Sequence, residues 1–343
     1  MTPAMKHLVT GGSGFLGRAI AQELCQRGET VKILDIWRDD DLPPDIEYIE
    51  CDIRDRDGVE RAMKGIDLVH HNVALVPLTK AGRGFWSVNV EGARVAAMAA
   101  IAAGVGGFVH MSSSAVFGNP VCPITEATPL KPVEIYGRAK LAGEQAVREV
   151  CTAAGLPLVV VRPRTILGSG RLGIFQILFA WIQEGRNVYT IGDGRIDFQF
   201  VHAQDLLTAY LLAMTQPGTY NIGTDRYGTL RQALENLIAH AGSASQVKAL
   251  PAGLTIGTLR LLDFLGLSPL APWHYLTYHK PFYFDLEPLH RLGWRARYSN
   301  DEMLRESYDW FCEHYERLQA EKARSPHRRP VPEKLLGLLK RFS

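Results

Sequence analysis

The glycine-rich segment at residues 7–17, HLVTGGSGFLG, constrains this chain more than any other feature. It places Gly11, Gly14 and Gly17 between a short apolar run and a helical pattern. In a strand–turn–helix unit, the first glycine makes the tight turn, the second lets the backbone approach a pyrophosphate, and the third lets helix and strand pack closely. The helix N-terminus then presents its free N–H groups to the phosphates. The segment therefore predicts a dinucleotide site on a βα unit.

The residue that selects the dinucleotide is Asp35, at the end of the next predicted strand. A carboxylate there accepts hydrogen bonds from the adenosine ribose and repels a 2′-phosphate. This favours NAD as the cofactor, while the neighbouring Arg38 leaves NADP open.

Strands and helices alternate through the first half of the chain. Apolar runs predict strands at 7–10, 31–35, 46–50, 68–71, 107–112 and 158–162. Helical patterns lie between them at 18–27, 58–64, 88–103 and 140–154. With right-handed crossovers, this order predicts an α/β fold with a Rossmann-type doubly wound parallel sheet. The second half is less regular, with helices predicted at 174–184, 203–214, 230–241, 254–265 and 301–318.

The length of 343 residues exceeds what one core usually holds. We therefore expect a mainly NAD-binding domain at 1–165 and a smaller C-terminal substrate lobe, mainly 166–318, with some return to the sheet around 196–215. A basic, partly disordered tail with a short amphipathic helix is expected at 319–343. From residue 317 onward, eight Lys or Arg stand against two Glu. The tail is either a solvated terminus or a peripheral contact with anionic lipid.

Composition narrows the class of protein. A net charge of +2 gives no case for a nucleic-acid partner. The five cysteines include no CxxC pair, which predicts a reduced compartment without a disulfide framework or zinc site. No apolar leader or membrane-length apolar run is present, so we expect a cytoplasmic location. The histidines have no metal-binding spacing, and no metal is predicted.

Candidate catalytic residues lie at 110–140. Tyr136 and Lys140 are spaced to share one face of a helix. A phenol has a pKa of about 10, so a nearby ammonium and the nicotinamide charge would be needed to stabilise the phenolate that accepts a substrate proton. Serines at 112–114 end a strand at the carboxyl edge of the sheet, where ligands bind in such folds. A serine there either holds the substrate oxygen or caps a turn.

The order of motifs resembles the extended short-chain dehydrogenase/reductase family, which includes nucleotide-sugar epimerases and dehydratases and the 3β-hydroxysteroid dehydrogenase group. The motifs are TGGSGFLG, Asp35, CDI at 51–53, HNVA at 71–74, Asn89 in VNVEG, SSSAVFG, YGRAK and RP at 162–163. The likeness continues to about residue 313, through FVHAQDL, YNIG and LGW.

The resemblance implies roles for individual residues. The catalytic set would be Ser113, Tyr136 and Lys140, with Ser113 assigned by counting back five positions from Gly118. Asp52 and Ile53 would contact the adenine. The implied cofactor-binding residues are Gly11, Gly14, Phe15, Leu16, Gly17, Asp35, Asp52, Ile53, Ala74, Asn89, Tyr136, Lys140 and Pro163. Ala74 would line the groove, Asn89 would steady the active-site helix, Lys140 would hold the nicotinamide ribose, and Pro163 would lie against the nicotinamide.

The resemblance also implies how the reaction begins: Tyr136 takes a hydroxyl proton while hydride passes to NAD. A dehydrogenase then releases the ketone, and an epimerase returns the hydride to the other face. A dehydratase is disfavoured, because Ser113, Ser114 and Ala115 stand where dehydratases have Thr-Asp-Glu.

The substrate lobe favours oxidation of a 3β-hydroxysteroid-like or other hydrophobic alcohol. Phe198-Gln199 stands where epimerases carry Arg-Asp, and the region 254–284 is apolar and aromatic, although such helices also form cores. A nucleotide-sugar 4-epimerase is the alternative, with Arg164, Arg186 or Arg195 meeting the diphosphate. A non-catalytic NAD-binding regulator is a third hypothesis. Family members often pair through two helices, here 88–103 and 140–154, so a homodimer is expected.

Overall fold

The computed structural model describes residues 4–79, 81–265, 267–268 and 270–321. The strands are β1 (Lys6–Thr10), β2 (Thr30–Asp35), β3 (Glu47–Glu50), β4 (Leu68–His71), β5 (Gly107–Met111), β6 (Leu158–Pro163), β7 (Ile166–Leu167), β8 (Val188–Ile191), β9 (Asp197–Phe198), β10 (Val201–His202), β11 (Gly218–Ile222), β12 (Gly228–Thr229) and β13 (Val247–Leu250). The helices are α1 (Phe15–Gln26), α2 (Arg56–Met63), α3 (Gly84–Trp86), α4 (Ala93–Ala102), α5 (Ile135–Ala154), α6 (Phe175–Gln183), α7 (Ala203–Ala213), α8 (Leu230–His240), α9 (Ala252–Phe264), α10 (Pro272–Thr277), α11 (Glu287–Arg291), α12 (Asn300–Glu313) and α13 (Tyr315–Glu321).

A seven-stranded sheet forms the centre, in the order β11-β6-β5-β4-β1-β2-β3, and its strand pairs are parallel. The order reverses between β1 and β4, so that their carboxyl ends border the crevice in which doubly wound folds bind ligands. Leu8 faces Lys32 of β2 on one side and Val69 of β4 on the other. The predicted α/β doubly wound fold is confirmed.

Apolar residues cover both faces of this sheet. Alternate side chains of a strand point to opposite faces. Val9 and Val109 accordingly lie in one core, and Leu8 and Phe108 lie in the other. A sheet buried on both faces needs near-continuous apolar strands, which is why the strand runs are readable in the sequence.

The chain returns to the sheet after the lobe begins. Strand β11 pairs with β6 at the sheet edge, just beyond the 196–215 segment for which the sequence predicts a partial return. Helix α7, inside that segment, packs against β6 and β11. Among the described residues, two-stranded pairings outside this sheet join β7 with β10, β9 with β12 and β8 with β13.

The helix predicted at 140–154 begins earlier, at Ile135, and two further helices differ from the prediction in their continuity. The predicted helix at 88–103 is part of a longer one, in which a π-helical segment, Ser87–Gly92, joins α3 to α4. The predicted helix at 301–318 is divided into α12 and α13 at His314.

None of the helices in the described part of the chain has the length and apolar character that a bilayer crossing requires. The tail helix predicted within 319–343 falls largely at 322–343, outside the described residues.

Candidate active site

The glycine turn after β1 is shaped by close backbone contacts. Gly11 has a φ of +70°, and a Cβ added to it would lie 2.9 Å from the nitrogen of Val73. A Cβ on Gly17 would lie 2.1 Å from the carbonyl oxygen of Gly11, so helix α1 can pack on β1 only through glycine. Gly14 caps α1 without a side-chain acceptor, and the first turn, which contains Phe15 and Leu16, has no acidic residue. The turn therefore suits a pyrophosphate.

Asp35 lies directly beside this turn. Its carboxylate accepts hydrogen bonds from the backbone N–H of Ser13, at 3.1 Å, and of Ile36, at 2.8 Å. The hydroxyl of Ser13 in turn donates to the carbonyl of Trp37. These bonds hold the acidic end of β2 next to the place where an adenosine ribose would meet the turn.

The residues predicted to meet the adenine follow β3. The carboxylate of Asp52 pairs with Arg54 at 2.5 Å, and this hydrogen-bonded guanidinium lowers the pKa of Asp52. Ile53 is buried, and a Cβ on Gly92 would lie 2.6 Å from its Cγ2. Asp52 thus stays ionised and partly solvated, while Ile53 is packed against Gly92, and their contact with adenine stays a prediction.

Asn89 connects three elements of the site. Its side-chain oxygen accepts from the N–H of Leu75 at 2.8 Å, and its amide donates to the Leu75 carbonyl at 3.0 Å. This fixes the segment after β4 that carries Ala74. A Cβ on Gly143 of α5 would lie 2.1 Å from the carbonyl oxygen of Asn89. Asn89 therefore sits where the loop, the π-helical segment and the active-site helix meet.

Tyr136 lies at the start of α5, where the side chain of Glu134 caps the helix by accepting from the N–H groups of Tyr136 and Gly137. Burial raises the pKa of Tyr136 to about 12, while a hydrogen bond with Ser113 and the charge of Arg171 act in the opposite direction. Ser113 also accepts from the N–H of Ala115 at 3.2 Å, capping a 3-10 turn at Ser114–Phe117. Ser113 thus both caps this turn and makes a hydrogen bond with Tyr136.

Lys140 lies one helical turn further along α5 and is buried. Its Nζ donates to the carbonyl oxygen of Met111 at 2.5 Å. Burial lowers the pKa of Lys140 to about 8, against the opposing charge of Glu144. The sequence predicts that this ammonium favours the Tyr136 phenolate. That role of Lys140 stays a prediction; the structure adds Arg171, whose charge also favours the Tyr136 phenolate.

Glu144, one turn beyond Lys140, is a residue that the sequence reasoning missed. Its buried carboxylate accepts from Ser112 at 2.7 Å and from Arg148 at 3.0 Å. It also forms a bidentate pair with Arg162 of β6, at 2.5 and 3.0 Å. The four-residue spacing from Tyr136 through Lys140 and Glu144 was the available signal. This carboxylate joins α5 to the strand ends that carry Ser113 and Pro163.

Phe198 and Gln199 occupy the positions where epimerases carry the diphosphate-binding arginine and the aspartate that follows it, and both are fully buried. The side chain of Gln199 donates to the carbonyl of Thr224 at 2.6 Å and accepts from the N–H of Phe284 at 3.0 Å. The backbone carbonyl of Gln199 accepts a hydrogen bond from Nε of Arg164 at 2.8 Å. Gln199 is thus a framework residue. Of the three arginines that the sequence offered for a diphosphate, Arg186 and Arg195 are exposed and Arg164 is buried.

The apolar region of the lobe divides into two parts. Trp273, Tyr275 and Phe282 are buried and belong to the core. Leu254 and Phe264 of α9 are 73% and 87% exposed, and no residue of that helix is buried.

A glycine turn suited to a dinucleotide, together with a buried tyrosine and lysine on the helix that follows, at the carboxyl edge of a doubly wound sheet, is typical of nicotinamide-dependent oxidoreductases. The chain belongs to the NAD dependent epimerase/dehydratase family, whose sequence pattern matches residues 7–223. It is therefore an NAD-dependent enzyme, as the sequence predicts.

Three known proteins illustrate the range of this similarity. An uncharacterized protein of Sinorhizobium fredii is 43% identical over 336 residues, covering 97% of this chain and 85% of that protein. Sterol demethylase protein B of Methylococcus capsulatus is 30% identical over 276 residues, covering 76% and 81%. The structure of the Thermus thermophilus UDP-glucose 4-epimerase in complex with NAD is 25% identical, with a TM-score of 0.72 and coverage of 90% and 99%.

Proposed function

We propose that the chain oxidises a secondary alcohol of a hydrophobic, 3β-hydroxysteroid-like substrate to a ketone. The observation that carries this proposal is that Phe198 stands at the position of a diphosphate-binding arginine and is fully buried against the rings of Phe200 and Tyr278. A site without that clamp suits an uncharged body better than a nucleotide diphosphate. The similarity to a sterol demethylase protein supports the same choice.

In the proposed reaction, Tyr136 accepts the proton of the substrate hydroxyl and Ser113 holds the substrate oxygen against it. Bound NAD supplies the hydride acceptor. With a pKa of about 12, Tyr136 is protonated in the free protein, so proton acceptance needs positive charge beside the phenol, and Arg171 supplies part of it. Lys140 would hold the nicotinamide ribose.

The remaining residues would position the cofactor. Asp35 would bind the adenosine ribose, Asp52 and Ile53 would flank the adenine, and Pro163 would lie against the nicotinamide. The backbone from Gly11 to Gly17 would hold the pyrophosphate, with Ala74 and Asn89 forming the wall of the groove.

A nucleotide-sugar 4-epimerase with transient hydride transfer is the second candidate, favoured by the similarity to the Thermus epimerase. One assay separates the candidates: purified protein is incubated with NAD and either 3β-hydroxysteroids or UDP-sugars. Net NADH from the steroids supports the dehydrogenase. Sugar interconversion without net NADH contradicts it, and NAD binding without turnover of either class indicates a regulator.

Replacing the proposed proton acceptor tests the chemistry. Tyr136→Phe keeps the ring and its packing against Phe85 but removes the hydroxyl. We expect activity to fall by about 10²- to 10⁴-fold, the usual contribution of general acid–base catalysis, with NAD affinity unchanged. Retained turnover in steady-state assays would show that Tyr136 is not the proton acceptor.

We also propose a cytoplasmic homodimer with peripheral membrane contact. The five cysteines are free thiols, which suits a reducing compartment. Exposed Leu261 and Phe264 on α9 would join the basic tail at a lipid surface. Co-sedimentation with anionic liposomes compares the full chain with one ending at Leu318, and equal binding removes the role of the tail.

A further inference from the structure

Arg171 is a half-buried cation without an acidic partner among the described residues. In that part of the chain its guanidinium forms no ion pair with a carboxylate, and its side chain makes no hydrogen bond. The surrounding protein lowers the pKa of Arg171, which is the direction expected when a cation is removed from water without a counter-charge. Because a charge removed from water needs a partner, this guanidinium calls for an anionic ligand.

The loop that carries this arginine, residues 168–173, is fixed in place by α12. The N–H of Gly168 donates to the hydroxyl of Ser307 at 3.0 Å. The hydroxyl of Ser169 donates to the carboxylate of Glu306 at 2.8 Å. The position of the loop is therefore set by the C-terminal lobe.

The same loop lies against the first residue of α1. A Cβ added to Gly170 would lie 3.8 Å from Cε2 of Phe15, so the loop backbone is close to this aromatic ring. The guanidinium carbon of Arg171 lies 5.8 Å from the centre of the same ring. Phe15 directly follows Gly14, which caps α1 at the end of the cofactor turn. Two separate distances therefore place Arg171 beside this turn.

The cofactor turn itself offers a diphosphate only partial charges. Residues 11–17 contain no Lys, Arg or His, so the turn binds anions through the backbone N–H groups and the dipole of α1. Arg18, the next residue along the chain, is already paired with Asp39 at 3.0 Å. Both phosphates of a dinucleotide are negatively charged. A full positive charge from outside the turn would therefore complement the ligand that the turn suits.

We propose that Arg171 binds the diphosphate of NAD and holds it against the glycine turn, as a cofactor-binding residue that the C-terminal lobe contributes. The planar guanidinium presents parallel N–H donors that match phosphate oxygens, so it orients the ligand as well as attracting it. Because the ligand is the cofactor, this inference is independent of which alcohol the chain oxidises. It can fail or hold separately from the proposed reaction.

The experiment measures ligand binding by calorimetry, without reference to turnover. The probes are NAD, ADP-ribose, which keeps the diphosphate but lacks the nicotinamide, and adenosine, which lacks both. The weak binding of adenosine is measured by its competition with ADP-ribose. The native chain is compared with Arg171→Met, with the charge-retaining Arg171→Lys, and with Arg305→Met, which removes an exposed arginine from α12 as the matched control.

We expect Arg171→Met to weaken NAD and ADP-ribose by the same factor, at least about 10-fold, which is the loss of one charge-assisted hydrogen bond. Adenosine should bind this variant as it binds the native chain. Arg171→Lys should keep part of the affinity, and Arg305→Met should match the native chain.

Unchanged binding of NAD and ADP-ribose to Arg171→Met overturns the proposal, whether or not any substrate is turned over. A loss confined to NAD assigns Arg171 to the nicotinamide half of the cofactor, and an equal loss for adenosine shows a general disturbance of the site. Either of these outcomes also overturns the contact with the diphosphate.

Discussion

At the scale of single residues, the site depends on the carboxylate of Glu144, for which no contact with NAD or with the substrate is predicted. Glu144 is 1% exposed and lies between α5 and the ends of β5 and β6, bonded to Ser112 and Arg162. A buried ion pair gives little net stability, but breaking it leaves an uncompensated charge. Glu144 therefore holds the helix of Tyr136 and Lys140 in one register on the sheet.

We expect Glu144→Gln to destabilise the chain by about 3–5 kcal/mol, because Arg162 remains buried without its counter-ion. Adding Arg162→Met should restore at least half of the loss. Urea unfolding of the single and double variants measures both effects. The control is Glu235→Gln, whose partner Arg231 is one helical turn away on α8, and it should cost under about 1 kcal/mol. If the loss of unfolding free energy in the double variant equals the sum of the losses in Glu144→Gln and Arg162→Met, this account is wrong.

A second residue-scale property is the set of histidines buried in the sheet. Burial lowers the pKa of His70, His71 and His110, and that of His71 falls to about 3. In the unfolded chain they gain protons near their ordinary pKa of about 6.5. Between the lowered pKa of the folded chain and the ordinary pKa of the unfolded chain, the unfolded chain binds more protons than the folded chain. The folded state therefore loses stability as the pH falls below about 6.5.

Acid sensitivity tests this account. Below the pKa of the unfolded chain, each such histidine lowers the free energy of unfolding by up to about 1.4 kcal/mol for every pH unit. We expect His110→Phe to flatten the dependence measured by thermal or urea melts between about pH 7 and pH 5. His240→Gln, which changes an exposed histidine at the end of α8, is the control and should leave the slope unchanged. An identical slope in the native chain and His110→Phe would refute the assignment.

At the scale of elements, the packing of α5 against the π-helical segment places the catalytic face. Gly143 allows this approach, since any Cβ there meets the backbone of Asn89. The backbone of the π-helical segment cannot yield as a flexible side chain would. The distance between α5 and the π-helical segment is thus set by the absence of a side chain at Gly143.

Gly143→Ala should therefore destabilise the chain by about 1–3 kcal/mol, the cost of overpacking, and lower activity by shifting Tyr136. Gly253→Ala on α9 is the matched control, because a Cβ there meets nothing within 4 Å. Alanine is the better helix former, so this control should be neutral or stabilising by up to about 1 kcal/mol. Equal melting temperatures for the two variants would show that the contact is not limiting.

At the scale of the whole molecule, exposed apolar side chains on α4 suit a symmetric interface. Met98 and Ile101 are 46% and 36% exposed on an alanine-rich helix packed beside α5. If two copies pair through these helices, Met98→Glu places a charge inside the interface and should give a monomer by light scattering. Leu212→Glu on α7, 40% exposed in the native chain, is the control that should leave the mass unchanged. A native chain that is monomeric contradicts the dimer directly.

The sequence by itself determined the features that lie within one element or one turn. The doubly wound sheet follows from apolar runs long enough to be buried on both faces, and the cofactor turn follows from Gly11, Gly14 and Gly17. Tyr136 and Lys140 are readable because a spacing of four residues maps onto one helix face. The structure confirms the fold, and the functional roles of these residues stay predictions.

Only the tertiary structure decided which distant residues surround them. Arg171 lies near Phe15 on a loop that α12 anchors, and Glu144 meets Arg162 because α5 packs across β6. Gln199 became a framework residue through bonds to Thr224 and Phe284. Local periodicity specifies which face of an element is buried, whereas these contacts join residues far apart in the chain. They exist only once burial has fixed how the elements pack.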